Sequence, residues 1–284
     1  MRFLLSLQQD AKLFIYIHAL LMLFRCAFLV IYSGQLGNAG AEDVAEALWL
    51  GARISLKTAA FLVGFPFVFG TIPYALWKKW PAGGIRKILG SVAVGLMTLL
   101  FMVRIPYYEI FHQGFNIMLF NGMKDDRMAI WQTAVQQYQL WPRLFGALAL
   151  MAFFIWGLIK FLETPVYYPR HHVRILDMAA VVMVPVFAVF CRFGGAFHSD
   201  SGVPWESAAR THYTVLNEAV LDDGQAMYRA YHTHARATQR AMRPISDGEL
   251  YEAIAALGGN PEAGTPITAF ERRTTAAPLK RRPH

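Results

Sequence analysis

Apolar residues fall in long, nearly unbroken runs along this chain, not in the strict alternation of a half-buried strand. Five runs approach or reach the ~18–20 residues that carry a helix across a bilayer. They cover about 13–32, 54–77, 85–103, 144–162 and 173–193. The first run is too long for a cleaved signal peptide, and no small-residue cleavage site follows it. Trp49, Trp77, Trp80, Trp141, Tyr32 and Tyr74 stand at run ends, where an aromatic belt meets the two membrane–water interfaces. The second run contains Pro66 and Pro73 with Gly64 and Gly70, which predicts a kink, a packing feature in preference to a gating hinge.

After residue 193 the pattern changes. Tyr213, Leu216, Val220, Met227 and Tyr231 recur at helical spacing, interrupted near Asp222-Asp223-Gly224. Amphipathic helices that pack on a neighbour or lie on the bilayer surface fit that stripe. Ser246 and Glu249 form a capping-box pattern before Leu250, Ile254 and Leu257, and Gly258-Gly259 ends it. Residues 260–284 have no periodicity and are rich in Pro, Thr, Ala and charge. The predicted fold is all-α and membrane-embedded. A five-helix transmembrane bundle occupies 1–193, juxtamembrane helices follow over 194–257, and a disordered linker covers 258–284.

Composition supports this reading. Of 284 residues, 55% are hydrophobic and 16% charged, against about a quarter charged in soluble domains. Intrinsic disorder of the whole chain is excluded. With only Cys26 and Cys191, a disulfide scaffold is excluded too. The net charge is +8, and all of it lies in 1–193, where 17 basic residues face 9 acidic ones. The tail carries ten of each. Lys78, Lys79, Arg86 and Lys87 crowd one short loop, and Lys160, Arg170 and Arg174 the loop between runs four and five. Alternate loops are acidic or mixed, with Glu42, Asp43, Glu46 and Glu109. Positive loops mark the cytoplasmic side, so the N-terminus is expected inside and everything past residue 194 outside. The excess charge is topology, and nucleic acid is not an expected partner.

No HExxH, GxSxG or Walker loop occurs, and no catalytic or metal-binding residue is expected in this chain. Gly34, Gly37 and Gly40 read as loop residues, and His171, His172, His232 and His234 as solvated ones. The arginines carry more information. Arg25 sits inside the first run, and a charge at that depth costs about 2.5–3.5 kcal/mol on insertion scales. It lies about 12 Å from the helix end at 1.5 Å per residue, beyond the roughly 6–7 Å that a snorkelling arginine reaches. It needs an internal partner: a carboxylate, backbone carbonyls, water or a lipid phosphate. Arg53, Arg104 and Arg192 begin or end other runs on the same side. Guanidinium forks match phosphate oxygens. Arg25, Arg53, Arg104 and Arg192 are therefore the candidate lipid-headgroup residues, although the last three could also simply snorkel to the interface.

The stretches 23–29, 51–53, 107–116, 192–194 and 216–218, in that order, resemble the membrane domain of lipoteichoic acid synthase-like proteins, sulfatase-fold phosphoglycerol and phosphoethanolamine transferases of the bacterial envelope. Leu23-Phe24-Arg25-Cys26-Ala27-Phe28-Leu29 resembles the arginine-bearing first helix, and Gly51-Ala52-Arg53 the Gly-x-Arg start of the second. Tyr107-Tyr108-Glu109-Ile110-Phe111 with Gly114-Phe115-Asn116 resembles the aromatic third loop. Arg192-Phe193-Gly194 resembles the Arg-Gly exit from the fifth helix, and Leu216-Asn217-Glu218 the juxtamembrane Leu-Asn motif. The resemblance spans about residues 1–240. Two departures stand out: Ser55 replaces a frequent aspartate, and Arg104 stands where an acid is common.

The resemblance implies a membrane domain in the bacterial cytoplasmic membrane that presents an anionic phospholipid or glycolipid at the outer leaflet. It also implies an external sulfatase-like catalytic domain as partner, with a threonine nucleophile and a divalent metal. This chain is expected to need no cofactor itself and not to turn over alone, since Thr274 and Thr275 lie in the expected linker. The alternatives are a small transporter or flippase, and a purely structural membrane anchor.

Overall fold

In the computed structural model, residues 2–122, 128, 132, 135–136, 140–167, 173–204, 209–241, 246–260 and 270 are described. They form helices and no strand. The first compact unit is Met1–His234 and the second Ala235–His284.

Helix α1 (Arg2–Ile31) shows how the first unit is built. Ser6, Asp10, Leu13, Ile17, Leu20, Leu21, Phe24, Arg25 and Phe28 are buried at steps of three and four, one face of a 3.6-residue helix. Ile15, Leu23 and Val30 on other faces are exposed, as a lipid-facing surface requires. Helix α2 (Ala41–Pro66) begins where the Asp43 carboxylate accepts the Gly40 N–H at 2.9 Å. It continues through a π-helical turn, Phe67–Thr71, into α3 (Ile72–Leu76).

The prolines explain this irregular passage. Pro73 has no N–H to give the Phe69 carbonyl, and the Trp80 indole N–H donates to that carbonyl instead at 2.8 Å. A proline kink in a membrane needs such a substitute donor. The π-helical turn also aims Thr71, which is fully buried, at α1.

Helix α4 (Ala82–Phe111) ends at His112, whose φ of 50° closes it in the left-handed region. The short α5 (Ile117–Gly122) precedes α6 (Leu140–Glu163) and α7 (Val173–Arg192). Five spans, Arg2–Ile31, Ala41–Leu76, Ala82–Phe111, Leu140–Glu163 and Arg174–Arg192, are long and apolar enough to cross a membrane. The protein is an all-α membrane bundle. Helix α1 packs on α2 and α4, α4 on α6, and α7 on α1 and α2. Stacked Phe24 and Phe101 rings, 4.4 Å apart, and the Phe28–Tyr32–Tyr108 cluster fill the centre.

Helix α8 (Thr214–Val220) is not on the surface of this unit. Val215, Leu216, Ala219 and Val220 are at most 2% exposed, and the helix packs against α1 and α2. Residues 194–204 and 209–234 thus join the same compact unit as the five spans, past the boundary at 193 read from hydropathy. Helix α9 (Asp223–Ala241) follows, broken from α8 at the predicted acidic pair.

In the second unit, α10 (Asp247–Ala256) has the expected capping box. Ser246 Oγ accepts the Glu249 N–H, and Glu249 accepts the Ser246 N–H. Gly258 closes it with φ of 75°. Of the expected linker over 258–284, only 258–260 and Phe270 lie among the described residues. Thr274, Thr275, Arg170, His171, His172 and the charges at 124–127 lie outside them.

Candidate functional site

Among the described residues, two charged clusters are buried in the first unit. The larger is built on Arg25 and Arg104, each 3% exposed. Arg25 projects from α1 toward α2 at Gly51, where a side chain would overlap the guanidinium. Its Nε donates to the Ala219 carbonyl at 2.8 Å. Its Nη2 donates to Ser55 Oγ at 2.7 Å and to the Val220 carbonyl at 3.2 Å. Met22 Sδ lies 2.7 Å from Nη1. Arg104, from α4, donates to the Glu218 carbonyl at 2.6 Å, the Leu221 carbonyl at 3.3 Å and the Asp223 carboxylate at 2.9 Å. Its guanidinium lies 4.1 Å from the centre of the Phe28 ring, a cation–π contact. Arg104 Nε is buried without a partner.

The acceptors come almost entirely from 218–223. Helix α8 presents its last carbonyls there, the negative end of the helix, which no residue of its own caps. Two membrane arginines from different helices cap it. Asp222 completes the cluster: its carboxylate accepts from Ser55 Oγ at 3.1 Å, Thr58 Oγ1 at 2.9 Å and the Gln225 N–H at 3.0 Å. Burial pushes the Asp223 carboxyl above the usual carboxylate range, and Arg104 opposes that rise.

The expected arginines therefore divide. Arg25 and Arg104 share one set of acceptors. Arg53 holds a different segment, donating to the Gly194 and Ser201 carbonyls at 2.7 Å each. Lys57 beside it donates to the Val203 carbonyl at 2.6 Å. Arg192 is exposed at the end of α7. The acidic partners are not Glu42, Asp43, Glu46 or Glu109; Glu109 makes a half-exposed pair with Arg143 at 3.4 Å. They are Asp222 and Asp223, which sequence alone marks only as a helix break. Among the described residues no three His, Cys, Asp or Glu side chains gather as a metal site.

The second cluster joins Ser6, Asp10, Thr71 and Arg86. Arg86 Nε donates to Asp10 at 2.6 Å, with both side chains at most 5% exposed. Its Nη2 donates to the Ser6 carbonyl and to Thr71 Oγ1. Thr71 donates to the other Asp10 oxygen. The one signal for it in sequence is that Ser6 and Asp10 continue the spacing of Leu13 and Ile17.

Gly51 gives a direct test of the first cluster. Gly51→Ala is expected to displace the Arg25 guanidinium and cost about 1–3 kcal/mol, the usual range for overpacking. Because both changes act on one contact, Gly51→Ala with Arg25→Ala should cost less than the sum of the two. Unfolding free energy in mixed micelles reads this. Strict additivity would show that Gly51 does not make room for Arg25.

Against known proteins, the chain matches no family description, no curated protein and no solved structure.

Proposed function

We propose that this chain is the membrane-embedded part of a cell-envelope phosphoglycerol or phosphoethanolamine transferase of the lipoteichoic acid synthase-like kind. It anchors an extracytoplasmic sulfatase-like catalytic domain and presents an anionic lipid at the outer leaflet of the bacterial cytoplasmic membrane, with its N-terminus inside. The metal and the nucleophile belong to that catalytic domain.

One observation supports this reading best. The dispersed stretches that carry the resemblance pair with one another in space. Arg25 of the first lies over Gly51 of the second. Arg53 of the second holds the Gly194 carbonyl of the fourth. Gly114 N–H of the third donates to Glu218 of the fifth at 2.8 Å, and Arg25 caps the helix that bears that fifth stretch. Both departures from the family pattern lie in the same place. Ser55, where an aspartate is frequent, bridges Arg25 to Asp222. Arg104, where an acid is common, pairs with Asp223. The tail supplies the carboxylates that the membrane helices lack.

The test is headgroup-dependent stabilisation of the purified chain. Phosphatidylglycerol nanodiscs are expected to raise its thermal midpoint by several degrees over phosphatidylcholine ones, as ligand linkage at saturating lipid gives about 2–3 kcal/mol. Equal midpoints would leave a structural anchor. Solute flux in proteoliposomes would make it a transporter instead.

A further inference from the structure

The Arg25–Arg104 site, read above as the place for a lipid phosphate, is filled by the chain itself. We infer that the α8–α9 junction, 218–223, is a displaceable stand-in for the lipid phosphate, so that a phosphodiester headgroup reaches Arg25 and Arg104 only when α8 leaves. The inference rests on the headgroup reading of these arginines.

The chemistry of the occupant is anionic. Four consecutive carbonyls, from Glu218 to Leu221, and the Asp223 carboxylate meet the two guanidinium groups. A phosphodiester would offer its two anionic oxygens to these same guanidinium donors. The fit is incomplete: Arg104 Nε, in a side chain 4% exposed, has no acceptor. A second observation concerns the way α8 is attached. It has only seven residues, and extended residues flank it: Tyr213 at φ −101°, ψ 111° and Leu221 at φ −81°, ψ 128°. Asn217 ties the preceding loop to the helix. Its Oδ1 accepts the Arg210 and Thr211 N–H groups, and its Nδ2 donates to the Thr211 carbonyl. Residues 210–220 are therefore tied into one piece, which joins α9 through the extended Leu221.

The apolar face of α8 does not oppose this strongly in a bilayer. Val215, Leu216, Ala219 and Val220 would exchange protein for lipid tails or the interface, and lipid tails are as apolar as the core they leave. The polar contacts decide the balance, and a phosphate competes for those.

The experiment locks α8 in place. Gly37 and Tyr213 are replaced by cysteine, in a chain with Cys26→Ala and Cys191→Ala. A Cβ at Gly37 would lie 3.9 Å from the Tyr213 ring, so a short bis-methanethiosulfonate linker spans the pair and reductant removes it. Binding of fluorescent phosphatidylglycerol is measured in phosphatidylcholine nanodiscs. The linked protein is expected to bind at least tenfold more weakly than the same protein after reduction. Equal binding in both forms would overturn the displacement. No preference for phosphatidylglycerol in the reduced form would overturn the headgroup reading beneath it. Soluble glycerol phosphate is the last arm: failure to compete supports a lipid as the source, and competition at matching concentration would assign the site to free phosphate esters.

Discussion

Arg25→Met is expected to cost about 3–5 kcal/mol, the range for removing one partner of a buried ionic cluster. The reason is what remains behind. The Ala219 and Val220 carbonyls lose their donors at the end of α8, and Ser55 loses the guanidinium it accepts from. Asp222 keeps its hydroxyl and amide donors but loses the nearby positive charge. A buried carbonyl without a donor costs about 1–3 kcal/mol, so two of them approach the whole expected effect. Arg25→Lys should fall between wild type and methionine, because a single ammonium cannot replace the fork that serves both carbonyls and Ser55. Two measurements check this. Unfolding free energy in mixed micelles gives the cost, and limited proteolysis across 210–223 shows whether α8 is released. A methionine variant as stable and as protected as wild type would mean that packing alone holds α8.

The same residue shows what sequence reading can reach. Depth and reach arguments establish that Arg25 needs an internal partner, because both depend only on position within one helix. They cannot choose among a carboxylate, carbonyls, water and lipid, because the partners lie 194 and 195 residues away in sequence. The five spans are legible for the same local reason, though their ends are not. Run 85–103 becomes a helix over Ala82–Phe111, since Arg104 and Glu109 interrupt hydropathy without interrupting the helix. Residues 213–231 show the opposite case. Their stripe predicts the helices and the break at Asp222, but not that α8 lies among the spans. Hydrophobic spacing says that a face is buried, and only tertiary structure says against what.

The Asp10–Arg86 pair is the second large effect, and it separates charge from packing. Asp10→Asn or Arg86→Met alone is expected to cost about 3–5 kcal/mol, since either leaves a buried charge uncompensated. Asp10→Leu with Arg86→Met should recover most of that loss, because a well-packed apolar pair avoids the desolvation of both ions. Thr71→Val should cost about 1.5–3 kcal/mol, the range for a hydrogen bond to a charged group, because it removes the bonds to Asp10 and Arg86. The loss should be smaller in the Leu/Met background, where the acceptor is gone. In sequence the two residues are charges 76 positions apart. The π-helical turn is what brings Thr71 between them. If the double apolar variant is as unstable as either single one, the cluster does more than balance two charges. The hydrogen bonds from Arg86 to the Ser6 carbonyl and Thr71 would then be what ties α1 to the turn after α2.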